Sequence, residues 1–140
     1  MKPLAARFDH IVLTVNDIEE TVKFYERVLG FEKEFFPGSD GKPRYALRFG
    51  SNKINLQDHA TDVVNKARVP TFGSGDFCLI AEVPLEQVIA HLRAENIVIE
   101  AGPVARRGAI GPMRSIYFRD PDGNLLEVSE YSSAMKALTK

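Results

Sequence analysis

Phe118-Arg119-Asp120-Pro121-Asp122-Gly123-Asn124-Leu125-Leu126-Glu127-Val128 reads as a tight turn feeding an apolar strand with one carboxylate set in it. Pro121 fixes one dihedral and Gly123 accepts a positive φ, so the turn positions Glu127 without reacting. Near the N-terminus, Phe8-Asp9-His10-Ile11-Val12-Leu13-Thr14-Val15 is its counterpart, an apolar strand with one imidazole. A glutamate and a histidine, each alone in a strand that favours burial, are costly to bury unless paired, hydrogen-bonded or bound to a metal.

Outward from these strands the chain repeats itself. After Val15, Asn16 or Asp17 can cap a helix, with Glu19 or Glu20 completing a capping box. Ile18, Val22, Tyr25 and Leu29 recur at helical spacing, Phe24 and Val28 widen the stripe, and Gly30 suits the left-handed position that ends the helix. Strand patterns follow at 31–36, 45–49 and 53–57, the first two separated by the turn Pro37-Gly38-Ser39-Asp40-Gly41. A polar connector spans about 58–75. The order then returns: a strand over 76–83, a helix opened by Pro84 with Leu85, Val88, Ile89 and Leu92 on its apolar face, and Asn96 where Gly30 stood. Ile97-Val98-Ile99 reads as a strand, 102–111 as a glycine-rich loop, and 115–118 and 124–129 as the last two strands. Two βαβββ modules are expected, about 7–60 and 75–131, with a tail over 132–140 in which 134–138 would suit a helical end-cap or a disordered tail.

The halves can be laid over each other. If Val15 and Val83 both end a first strand, His10 stands against Cys78; Ile54-Asn55-Leu56 against Leu126-Glu127-Val128 sets Asn55 against Glu127. His10, Asn55, Cys78 and Glu127 are then expected to converge about a pseudo-twofold axis, with Gln57 on the same side of its strand as Asn55.

The bulk numbers bound the reading. With 140 residues, 44% hydrophobic and 26% charged, the chain is long enough for one globular domain with a real core. A net charge of -1 and the absence of a Lys/Arg cluster beyond short pairs argue against a nucleic-acid partner. No apolar run suits a membrane span or signal peptide, and the single Cys78 forms no intrachain disulfide, so a cytoplasmic setting is expected.

At Asp9-His10-Ile11-Val12-Leu13-Thr14-Val15, Phe24-Tyr25 with Leu29-Gly30-Phe31, Lys53-Ile54-Asn55-Leu56, Gly102-Pro103-Val104 and the stretch from Ser115 to Val128, the chain resembles the vicinal oxygen chelate superfamily, the glyoxalase/bleomycin-resistance/extradiol-dioxygenase group. It looks most like the small glyoxalase-domain proteins of the glyoxalase domain-containing protein 5 type. The resemblance implies an α+β fold, a single domain over 1–140 in which the two βαβββ modules form an incomplete mixed β-barrel. It also implies a divalent metal (Zn, Ni, Mn, Fe or Mg) held by first and fourth strands, a small-molecule substrate and a homodimer. His10 and Glu127 match ligand positions directly. Close relatives usually carry histidine where this chain has Gln57, and other branches carry one where it has Cys78. Gln57 could ligate through its amide oxygen, a weaker donor than imidazole.

Each residue has a plainer reading beside it. Glu127 could instead accept an arginine fork from Arg119, Arg48 or Arg114. Asn55 and Gln57 could touch metal, or only hydrogen-bond across a cavity. Cys78 could be a soft ligand favouring zinc, or a small buried hydrophobe. Arg106 and Arg107, in the expected loop, and Tyr117 are the candidates for substrate contact. The leading expectation is a glyoxalase-type, lyase- or isomerase-like metalloenzyme acting on a small oxygenated or thiol-adduct molecule, with His10, Gln57 and Glu127 on the ion and Glu127 or a bound hydroxide moving the proton. A metal-free sequestering protein is the alternative. An extradiol-type dioxygenase ranks lower, since it wants two histidines with one carboxylate.

Overall fold

The computed structural model describes residues 1–136, and the chain divides into two compact units, Met1–Gly73 and Ser74–Lys140. The first unit runs β1 (His10–Thr14), α1 (Ile18–Leu29), β2 (Glu32–Pro37), β3 (Pro43–Phe49) and β4 (Asn52–Gln57). The second runs β5 (Asp76–Ile80), α2 (Leu85–Ala94), β6 (Ala101–Arg107), β7 (Pro112–Arg119), β8 (Leu125–Tyr131) and the short α3 (Ser133–Lys136). Each unit is therefore the expected βαβββ module, and each sheet is mixed. The orders are β1-β4-β3-β2 and β5-β8-β7-β6, with β1/β4 and β5/β8 parallel and the rest antiparallel. Of the tail positions 134–138, the last two lie outside the described residues.

Local chemistry explains the helix ends. Asp17 caps α1, accepting from the Glu20 N–H at 3.1 Å. Gly30 at φ 70° closes it, with Gly30 N donating to Glu26 O and Phe31 N to Tyr25 O. α2 has no side-chain cap from Pro84; instead the Glu130 carboxylate, reaching from β8, accepts from Leu85 N at 3.0 Å. Asn96 at φ 60° does for α2 what Gly30 does for α1.

Strand alternation sends one face of each sheet to its core and leaves the other open. Leu13, Val15, Leu47, Ile54 and Leu56 are buried in the first unit with Val22, Tyr25 and Val28, and Phe31 stacks on Phe49 at 4.0 Å. In the second unit Leu85, Ile89 and Leu92 are buried, as are Ile116, Phe118, Leu126 and Val128.

Three sequence expectations are corrected. β5 stops at Ile80, not at residue 83, because Ala81–Val83 bend toward the start of α2. Val15 N bonds Gln57 O and Ala81 N bonds Ser129 O, so the repeats align Val15 with Ala81. Cys78 is thus the counterpart of Val12, and His10 of Asp76; Asn55 and Glu127 remain counterparts. Second, 97–99 form no strand: Val98 is 77% exposed, and the pairing with β7 begins only at Ala101 opposite Tyr117. Third, most of the expected 102–111 loop is the edge strand β6. Gly102, at φ +104°, lets the two backbones come together, since a Cβ there would strike the Ser115 carbonyl oxygen.

The Asp120–Asn124 turn is built as a closed network. Asp120 Oδ1 accepts from the backbone N–H groups of Asp122 and Asn124 at 2.9 and 3.0 Å. The buried Asn124 side chain donates to Asp120 Oδ2 at 2.8 Å and accepts from Gly75 N at 2.7 Å. This anchors the start of β8, and hence Glu127.

Candidate functional site

On the open face of the first sheet, β1 contributes His10, Val12 and Thr14 and β4 contributes Asn55 and Gln57. His10 Nδ1 lies 2.8 Å from Asp9 Oδ2. A carboxylate only accepts, so Nδ1 donates, and in the neutral ring Nε2 keeps the lone pair. The hydrogen bond from His10, helped by the charges of Arg7 and Lys53, holds the Asp9 carboxyl below its usual range against some desolvation. Gln57 is buried and gives its amide N–H to Thr14 Oγ1 at 2.9 Å, leaving Oε1 as its acceptor. Asn55 Oδ1 is buried without a hydrogen-bond partner. Its cross-strand neighbours, Val12 on β1 and Ala46 on β3, offer no polar side-chain atom.

Asn55 and Gln57 line a cavity of about 310 Å³ whose far wall comes from the connector. Arg44 ties that connector to the β2–β3 turn, donating to the Asp62 carbonyl and to Asp40 Oδ2, both at 3.0 Å. His10 is not among the lining residues.

On the open face of the second sheet, Glu127 sits between Cys78 on β5 and Tyr117 on β7. Ser129 Oγ donates to Glu127 Oε2 at 3.3 Å and lies 3.1 Å from Cys78 Sγ and 2.6 Å from Ser115 Oγ. Burial first, and the Glu127 carboxylate besides, push the Cys78 thiol up against the opposing Ser129 hydrogen bond. Cys78 is exposed as a residue although its thiol is partly desolvated, so it is not the small buried hydrophobe of the plainer reading. Arg106 donates to Tyr117 Oη at 3.0 Å, its guanidinium 5.4 Å from the ring centroid. Burial and Glu127 nevertheless hold the Tyr117 hydroxyl above its usual range, Arg106 opposing. Arg107 alternates to the other side of β6 from Arg106.

The arginine alternative for Glu127 is overturned. Arg119 pairs with Glu100 at 2.7 Å, Arg48 with Glu34 at 2.6 Å, and Arg114 with Glu86 at 2.7 Å and Glu130 at 3.3 Å. Among the described residues no three His, Cys, Asp or Glu side chains group as a metal site. The expected ligand set contains only two such residues, His10 and Glu127, with an amide third. An imidazole with Nε2 free, a carboxylate without an arginine and an amide oxygen are donors that suit a divalent cation.

Sequence reasoning missed Ser115, Ser129 and Thr14, which orient Glu127, Cys78 and Gln57. The signal for Ser129 was available, since it follows Glu127 by two and so shares its face.

The model for the Glyoxalase/Bleomycin resistance protein/Dioxygenase superfamily matches residues 7–128. Virulence protein STM3117 of Salmonella typhimurium is 48% identical over 125 residues, 89% of this chain and 84% of that protein. Its crystal structure matches with a TM-score of 0.85 over 92% of this chain and 99% of that one. Glyoxalase domain-containing protein RDO1 of Mycosarcoma maydis is 44% identical over 90% of this chain and 69% of that protein. The crystal structure of lactoylglutathione lyase from Agrobacterium tumefaciens matches at a TM-score of 0.65 and 26% identity, over 93% of this chain and 96% of that one. The twice-repeated βαβββ module, the solitary His10 and Glu127 and these likenesses lead to one conclusion: the chain belongs to the glyoxalase/bleomycin resistance protein/dioxygenase superfamily.

Proposed function

We propose that the protein is a glyoxalase-type, lyase- or isomerase-like enzyme that acts on a small oxygenated or thiol-adduct molecule through a divalent metal held by His10, Gln57 and Glu127. The observation that carries this reading is Glu127, a half-buried carboxylate left without an arginine while all three candidate arginines are engaged elsewhere. A divalent ion held by these residues would supply Lewis-acid stabilisation to a developing anion on the substrate. Asp9 orients His10 so that Nε2 faces away from its own hydrogen bond. Glu127 moves the substrate proton, steadied by the Ser129 hydroxyl. Arg106 and Tyr117, already joined, contact the substrate, and Arg107, on the opposite side of β6, ranks below them. The reading includes a homodimer working in the cytoplasm, with neither nucleic acid nor membrane as partner; no helix among the described residues is long and apolar enough to cross a membrane.

Metal content by mass spectrometry on protein purified without an affinity tag tests this, beside His10→Ala and Glu127→Ala and thermal shifts with Mg, Mn, Fe, Co, Ni and Zn. Stoichiometric metal lost in both variants is expected, and the preferred ion selects isomerase or oxygenase assays. No metal and no shift with any ion would sink the reading in favour of a metal-free binding protein, which the partly apolar first-unit cavity favours.

A further inference from the structure

The cavity on the open face of the first sheet presents a definite set of groups. Asn55 Oδ1 is withheld from water and has no donor, and neither cross-strand neighbour can supply one. Val12, Phe36 and Val63 give it apolar walls. Two cations, Arg44 and Lys66, line it and no carboxylate does. Arg44 is committed to Asp40 and the Asp62 carbonyl, whereas Lys66 makes no ion pair among the described residues. One acceptor awaiting a donor, one cation awaiting an anion and an aromatic wall describe the complement of a ligand.

We propose that this cavity binds a small, flat hydroxylated carboxylic acid, its hydroxyl donating to Asn55 Oδ1, its carboxylate meeting Lys66, and its body lying against Phe36 and Val12. This deepens the small-molecule part of the function proposed above and rests on it, but it needs no ion.

The test uses chelator-treated full-length protein and three probes, 4-hydroxybenzoate, 4-methoxybenzoate and 4-hydroxybenzamide, titrated by ligand-observed NMR. The hydroxy acid should bind about tenfold more tightly than either the ether, which lacks the donor, or the amide, which lacks the charge. In Asn55→Leu the preference over the ether should fall to about one, and in Lys66→Gln the preference over the amide should do the same. Lys66 is exposed, so its variant keeps the fold and decides the matter even if Asn55→Leu is unstable. No saturable binding, or equal binding of acid and ether, would overturn the proposal; equal binding would mean that the ligand hydroxyl does not reach Asn55 Oδ1. Metal bound without probe binding sinks this inference alone, and probe binding without metal sinks only the metal reading.

Discussion

Asn124→Ala should be among the most damaging substitutions in the second unit, although Asn124 touches no candidate site residue. Its side chain is fully buried and makes two hydrogen bonds, donating to Asp120 Oδ2 at 2.8 Å and accepting from Gly75 N at 2.7 Å. Truncation leaves the Gly75 N–H without its acceptor in a buried turn and removes one hydrogen bond from the Asp120 carboxylate, which keeps its bonds to Asp122 N and Asn124 N. At about 1–3 kcal/mol for the lost acceptor and about 1 kcal/mol for the lost donor, the loss is about 3 kcal/mol. For a chain of this size that lowers Tm by roughly 10 °C. Differential scanning calorimetry of wild type and variant reads it directly. Asn124→Asp provides the control: it keeps an acceptor for Gly75 N but sets carboxylate against carboxylate. Its deficit should therefore shrink as pH falls and one of the pair takes a proton. A loss under about 1 kcal/mol in Asn124→Ala, or a deficit in Asn124→Asp that ignores pH, would refute the account of the turn as a closed network.

Glu130 has a carboxyl that burial pushes up but that the Leu85 N–H, Lys136 and Arg114 together hold below the usual 4.5. A depressed carboxylate contributes stability above its unfolded pKa and loses it as pH falls through the folded value. Glu130→Gln keeps an acceptor for α2, should cost about 1 kcal/mol at pH 7, and should flatten the decline in urea midpoint below pH 4.5. Gly102→Ala combines a positive φ of 104° with a Cβ against the Ser115 carbonyl oxygen and 2.9 Å from Ile116 Cα, so it should cost roughly 2–4 kcal/mol by urea denaturation. Arg44→Met removes the bond to the Asp62 carbonyl that ties the connector to β3, and limited proteolysis should then cleave within 62–72 faster than in wild type while the α1 and β4 peptides stay protected.

The parts of the fold legible in the sequence are those whose determinants are local. α1 begins and ends where Asp17 and Gly30 say it should, because a cap and a left-handed residue act within one turn. The strands were legible as strands but not in their limits. Residues 81–83 continue an apolar pattern and 97–99 are three β-branched residues, yet neither run is strand: the β5/β8 ladder ends at Ile80 and pairing with β7 begins only at Ala101. β6 shows the converse: a glycine-bearing stretch becomes a strand because Gly102 allows close approach to β7. The three-residue overextension of β5 became a two-residue shift in the alignment of the repeats, since Cys78 belongs with Val12 rather than with His10.

The corrected register makes sense of the site, because it shows how one duplicated position has diverged. Asn55 and Glu127 occupy the same rung of the two modules, each on the fourth strand between the first and third. In the second unit that rung reads Cys78-Glu127-Tyr117, and the charged residue has polar side chains on both sides, with Ser129 beside it on its own strand. In the first it reads Val12-Asn55-Ala46, and the polar residue has none, so its oxygen is orphaned. The sequence announced Glu127 because an ionised group alone in an apolar strand is conspicuous. It concealed Asn55 because a neutral amide is ordinary until its neighbours across the sheet are known. The two rungs therefore suit different work: a carboxylate steadied by hydroxyl and thiol can exchange a proton, whereas an acceptor without a donor can only wait for a ligand to bring one.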